Sequence, residues 1–196
     1  MTLVEASKEV WRLDSESHIL ACAPSNTAAD LLTVRLRRDV PPDQILRLNA
    51  LSRPDELIPD SVKPCSNTGS AGHYIPPLTV LAQYRIIVST LVTAGKLASA
   101  VFPPAHFTHV FIDEAGQATE PETVIAVAGI LQPELGRLVM AGDPHQLGAI
   151  VRSGLAEQHG LAVSLMERLM AGPPYISQAT GKLDGRCVTK LVRNFR

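Results

Sequence analysis

Four short apolar runs, each breaking off at small or polar residues, limit most sharply what this chain can fold into. His18 to Ala23 (HILACA) stops at Pro24, Ser25 and Asn26, and Tyr84 to Leu91 (YRIIVSTL) carries Ser89 and Thr90 near its end. His109 to Asp113 (HVFID) runs straight into Glu114, and Gly136 to Ala141 (GRLVMA) stops at Gly142, Asp143 and Pro144. Apolar runs of this length, bounded by turn residues, suit strands buried on both faces. Helical spacing fills the intervals: Thr2 to Leu13 with Leu3, Val4, Ala6, Val10 and Trp11; Ala28 to Leu36; TAGKLASAVF from Thr93; Glu120 to Leu131; and Leu161 to Met170. Strands alternating with helices predict a doubly wound α/β fold with a mostly parallel sheet. Ligands of such sheets bind at the carboxyl ends of the strands, so the four polar ends predict one site. Between about residues 40 and 80 the period fails. Pro41, Pro42, Pro54, Pro59, Pro64, Pro76 and Pro77, with Gly69 and Gly72, predict an irregular insertion containing short helical turns.

Composition narrows the function classes. With 196 residues, 45% hydrophobic and 19% charged, the chain can bury a core and is not disordered as a whole. Eight aromatic residues leave that core to Leu, Val, Ile and Ala, with Trp11 and Cys22 expected to join it. The net charge of -1 advertises no polyelectrolyte partner, so any nucleic-acid contact must be local. Arg35, Arg37 and Arg38 read as a solvated face, and His106 and His109 as ordinary residues leading into a strand. Cys22, Cys65 and Cys187 are odd in number and form no CxxC pair, which argues against a disulfide framework or a zinc ribbon. A reducing compartment is expected.

The strand ends carry the chemistry. Asp113 and Glu114 directly follow an apolar strand, and a nucleotide site needs such a pair: one carboxylate for hydrated Mg²⁺, the other to orient or deprotonate an attacking water. Gln117 can reach the same region. Asp143 and Gln146 in GDPHQL stand just beyond the next strand. Each string has a plainer reading, an acidic helix start for one and an Asp143 cap with Pro144 for the other. Their joint occurrence, downstream of APSNTAAD, carries the weight.

ILACAPSNTAADLL (19–32), FTHVFIDEAGQATEPE (107–122), LVMAGDPHQLGAIVRSGLA (138–156), HGLAVSLMERLM (159–170) and TKLVRNFR (189–196) together resemble superfamily 1 helicases of the Upf-like branch. They are most like the RNA-silencing helicases of the Armitage and Moloney leukaemia virus ten type. The resemblance implies a RecA-like P-loop NTPase sheet acting with ATP and Mg²⁺ on single-stranded RNA. Asp113 and Glu114 would be the Walker B pair, with Asp113 holding Mg²⁺, and Gln117 would sense the γ-phosphate. Gly142, Asp143 and Gln146 would couple phosphate to nucleic acid, and Arg196 would reach the γ-phosphate from an interdomain cleft. Ser25, Asn26, Thr27, Thr90 and Thr93 would contact the strand's backbone. Argonaute-type silencing partners and a cytoplasmic or ribonucleoprotein-granule location follow from the same resemblance. Ala149 stands where the family usually has Pro, and Phe195 where it usually has Tyr.

Family members carry the P-loop directly before a segment reading TLVEA, and here that segment is Thr2 to Ala6 after Met1. No GxxxxGK[ST] occurs in the 196 residues. The resemblance therefore implies part of a first RecA-like domain, without its P-loop strand and without a second RecA-like domain, expected to be inert alone. A catalytically dead nucleic-acid-binding or interfering module, or part of a DNA helicase, is the alternative.

Overall fold

The computed structural model describes residues 2–69, 72–144, 146–178 and 180–192. Its strands are β1 (Ile19–Ala23), β2 (Ile45–Leu48), β3 (Thr68–Gly69), β4 (Gly72–His73), β5 (Ile86–Thr90), β6 (His109–Ile112) and β7 (Arg137–Met140). Its helices are α1 (Thr2–Leu13), α2 (Asn26–Leu36), α3 (Leu78–Leu81), α4 (Leu91–Ala98), α5 (Glu120–Ile125), α6 (Gly154–Gln158) and α7 (Leu165–Met170). Five strands form one parallel sheet in the order β2-β5-β1-β6-β7, while β3 and β4 make a separate antiparallel pair.

Alternation along each strand divides the core in two. Leu20, Cys22, Ile87, Val110 and Ile112 face α4, the end of α5 and α7, meeting Leu91, Ala94, Leu97, Ala126 and Met166. Ile19, Ala21, Ala23, Ile86, Val88 and Phe111 face α1 and α2, meeting Leu3, Val4, Ala29, Leu32 and Leu36. All five residues of β1 are fully buried, which is why HILACA reads as an unbroken apolar run. β7 is different: Leu138 and Met140 pack on the first core, whereas Arg137 and Val139 are exposed. At the opposite edge of the sheet from the polar strand ends, Arg85 closes the exit from α1. Its guanidinium donates to the carbonyls of Trp11 (3.1 Å), Asp14 (2.6 Å) and Ser17 (2.6 Å), oxygens that the end of a helix leaves without partners.

The stretch between 40 and 80 departs from the expected irregular insertion. Ile45–Leu48 pairs with β5 from Ile45↔Ile86 to Leu48↔Ser89 and is buried at all four positions, Arg47 included. Covered on both faces, a four-residue strand shows no alternation, and a charged residue in its middle disguises it further. The chain beyond it is held by side chains rather than by a ladder. Asn67 Oδ1 accepts from Asn49 N (2.6 Å), and its Nδ2 donates to the carbonyls of Asn49 (3.1 Å) and Tyr74 (2.7 Å). Helix limits shift too: Leu91–Ala98 forms where TAGKLASAVF was expected, α5 stops at Ile125 rather than Leu131, and α7 begins at Leu165 rather than Leu161.

Candidate functional site

Because all five strands run the same way, their carboxyl ends lie along one edge. Register fixes the order there: Ala23 lies opposite Thr90, Cys22 opposite Ile112, and Ile112 opposite Met140. The loops after β1, β5, β6 and β7 therefore emerge side by side.

Two of them interlock. After β6, Asp113 N donates to Cys22 O (2.8 Å), continuing the ladder for one residue beyond the strand. Glu114 then turns the chain with φ 53° and ψ 36°, a left-handed conformation that a residue with a Cβ seldom adopts. A 3₁₀ turn over Ala115–Gln117 follows, and Ala115 N donates to Ala141 O (2.8 Å) in the neighbouring loop. Glycines allow that approach. A Cβ on Gly142 would lie 2.9 Å from Gly116 N and 3.1 Å from Ala115 N, and one on Gly116 would lie 3.1 Å from Asp143 O. Met166 of α7 covers the crossing, its methyl group 3.4 Å from where a Gly116 Cβ would be.

The expected polar groups meet around this crossing. Gln117 Nε2 donates to Glu114 Oε2 (3.1 Å), and Gln146 Nε2 to Asp143 Oδ2 (3.1 Å). Asp113 and Glu114 are half-buried, while Gln117, Gly142, Asp143 and Gln146 are exposed. Asp113 brings one carboxylate rather than a cage, which suits a Mg²⁺ shared with substrate phosphates. No group of three or more His, Cys, Asp or Glu side chains able to hold a metal occurs among the described residues. Arg196 lies outside the described residues.

On the other side of β1 stand the residues expected to meet the strand. Ser25 caps α2, its hydroxyl accepting from Ala28 N (3.1 Å), and leaves Asn26 and Thr27 exposed in the first turn. Thr90 caps α4 by accepting from Thr93 N (3.3 Å) and donates to Thr93 Oγ1 (2.8 Å). Thr93 is only 8% exposed, so Thr90 presents the nearer hydroxyl. The catalytic-type loops and the APSN loop are thus joined through the Asp113–Cys22 hydrogen bond between adjacent strands.

Sequence reasoning missed what lies beneath Asn26. Arg47, fully buried in β2, donates from Nε to Asp30 Oδ1 (3.0 Å), from Nη1 to Leu48 O (2.7 Å) and from Nη2 to Asn26 Oδ1 (2.9 Å). Arg53 brackets the same carboxylate, with Nη1 to Oδ1 at 2.9 Å and Nη2 to Oδ2 at 2.6 Å. Burial lowers the Arg47 guanidinium's pKa below its ordinary value, and Asp30 opposes the effect. The group forms one wall of an open cleft of about 630 Å³ that Asn26, Thr27, Leu31 and Leu57 also line. Only the polar character of Asp30 inside an apolar-periodic helix could have hinted at it.

A family profile described as an AAA domain matches residues 77–154, the span from α3 through β7 to the start of α6. The chain is 48% identical to a putative helicase MOV-10 from Gallus gallus, over 100% of this chain and 21% of that protein. It is 47% identical to putative helicase mov-10-B.1 from Danio rerio, over 100% of this chain and 20% of that protein. With the probable RNA helicase armi from Drosophila melanogaster it shares 33% identity, over 100% of this chain and 18% of that protein. The chain thus spans about one fifth of the length of these relatives. With its parallel α/β sheet, interlocked DEAGQ and GDPHQL loops and full-length match to these proteins, the chain belongs to the MOV-10 and Armitage type of superfamily 1 helicase, on a RecA-like P-loop NTPase fold.

Proposed function

We propose that this chain supplies the carboxylate half of the ATP site and the first strand-contacting loop of an ATP-dependent RNA helicase that moves along single strands. The observation that carries the reading is the adjacency of the two loops: Ala115 N to Ala141 O locks DEAGQ to GDPHQL, and Asp113 N to Cys22 O ties both to the strand that ends in Ser25 and Asn26. Asp113 holds Mg²⁺, which neutralises developing charge on the phosphates when bound. Glu114, braced by Gln117, orients and deprotonates the attacking water. Gln117 and Gln146, with exposed amides, sense the phosphate and pass its state through the crossing to the APSN loop. Arg196 completes the phosphate contacts. Ser25, Asn26, Thr27 and Thr90 bind backbone oxygens common to every nucleotide, which is the chemistry of sequence-independent binding and needs no basic patch. A role in RNA silencing with Argonaute-type partners, in cytoplasmic granules, goes with this reading.

The test is RNA-stimulated phosphate release by the full-length protein. Glu114→Gln should lower kcat by about a hundredfold or more while leaving single-stranded RNA binding intact. The 196 residues by themselves, with no GxxxxGK[ST] among them, should release no phosphate above background. A Glu114→Gln enzyme that turns over at the normal rate would remove the proposed base.

A further inference from the structure

We propose that Arg47 is a positioning residue for RNA binding: it turns Asn26 so that only N–H donors face the strand. This rests on the reading of Asn26 as a backbone contact. A guanidinium has donors and no acceptor, so the 2.9 Å contact from Arg47 Nη2 must be to the amide oxygen of Asn26. With Oδ1 held inward, the exposed end of Asn26 is its NH₂ group. That end can pair with phosphate or ribose oxygens and can accept from nothing, so it suits a phosphodiester chain of any sequence.

Arg47 cannot easily be exchanged for another cation in this task. Its three engaged nitrogens point at Asp30, Leu48 O and Asn26 at once, and Asp30 is itself gripped by both nitrogens at the end of Arg53. Arg53 also donates to Asn49 Oδ1 (2.7 Å) and Leu57 O (2.9 Å), which ties the loop after β2 to the underside of α2. A lysine offers a compact ammonium in place of that planar fork and would release the amide of Asn26 to rotate. Arg47 is 0% exposed and touches no strand, so it acts through Asn26 alone.

Binding of a 5′-fluorescein-labelled oligouridylate to the full-length protein, followed by anisotropy across a salt series, tests this. Arg47→Lys should weaken binding about tenfold, the scale of one lost hydrogen bond to a charged group, and should weaken it no further in an Asn26→Ala background. Its salt slope should stay at the wild-type value, because no phosphate contact is lost. Additive losses for Arg47→Lys and Asn26→Ala overturn the proposal, and so does a slope reduced by about 0.7, the mark of a direct contact to a single strand. Should Arg47→Lys fail to fold, Asn26→Asp decides. The exposed carboxylate still accepts from Arg47 but turns an oxygen toward the strand, so it should bind more weakly than Asn26→Ala; binding equal to wild type overturns the proposal. Wild-type protein that binds no RNA at all would instead remove the functional reading on which the inference rests.

Discussion

Glu114 carries the clearest cost in the site. A non-glycine residue at φ 53° and ψ 36° stores about 1–3 kcal/mol, and what holds it there is the loop crossing on its far side. The acidic pair and its neighbours in DEAGQ were legible in the sequence, because the residue types needed for nucleotide chemistry stood directly after an apolar run. The strain at Glu114 was not, since it depends on Ala141 O, which is contributed from 27 positions downstream of Glu114. Gly142 shows the same dependence: alone it reads as a turn glycine, and the structure makes it a point of backbone contact. Gly142→Ala should therefore cost about 1–3 kcal/mol in urea unfolding, as overpacking against backbone does, and should also disturb nucleotide binding by pushing Ala115 and Gly116 away. A variant as stable as wild type would show that the loops can part without loss.

Helices and strands were read from period, and period proved a better guide to which residues are buried than to where an element ends. Ala126 and Ile130 fall on the helical spacing of 120–131 and are in the core, yet α5 stops at Ile125 and the chain turns through Gly129 at φ +75°. The beginning of α5 is specified locally. Thr119 accepts from Glu122 N (3.4 Å) and Glu122 Oε2 accepts from Thr119 N (3.0 Å), a reciprocal cap, and Arg168 of α7 makes a paired contact with Glu120 at 2.6 and 2.8 Å. Thr119→Ala should cost about 1 kcal/mol by chemical denaturation, with most of the loss removed if Ser replaces Ala. β2 marks the limit of the method. Its four residues follow two prolines, include a buried arginine, and become a strand only because β5 is beside them.

At the scale of the whole molecule, the sheet's two ends respond to different things. The polar edge holds the candidate site, whereas the opposite edge packs His106 against His18 (4.2 Å), Phe102 (4.7 Å) and Phe107 (4.9 Å). Burial, then the neighbouring His18, pushes His106 down to about 4 from an ordinary 6.5. A depressed folded-state value means that the fold favours neutral His106, so its contribution is complete above about pH 6.5 and is lost as the pH falls toward about 4. The thermal midpoint should fall over that window, and His106→Phe should flatten the upper part of the decline; parallel curves for the two proteins would exclude His106 as the cause. Sequence by itself determined the alternation of buried strands with helices, and with it the parallel sheet and the polar edge, because burial on both faces and helical spacing leave their marks within a few residues. It also determined the chemistry available at Asp113, Glu114, Gln117, Asp143 and Gln146. Only the tertiary structure decided that β2 joins the sheet, that Gly142 and Gly116 let two backbones touch, and that Arg47 turns Asn26. Each of these is a contact between segments far apart in the chain, and such a contact has no local period to announce it.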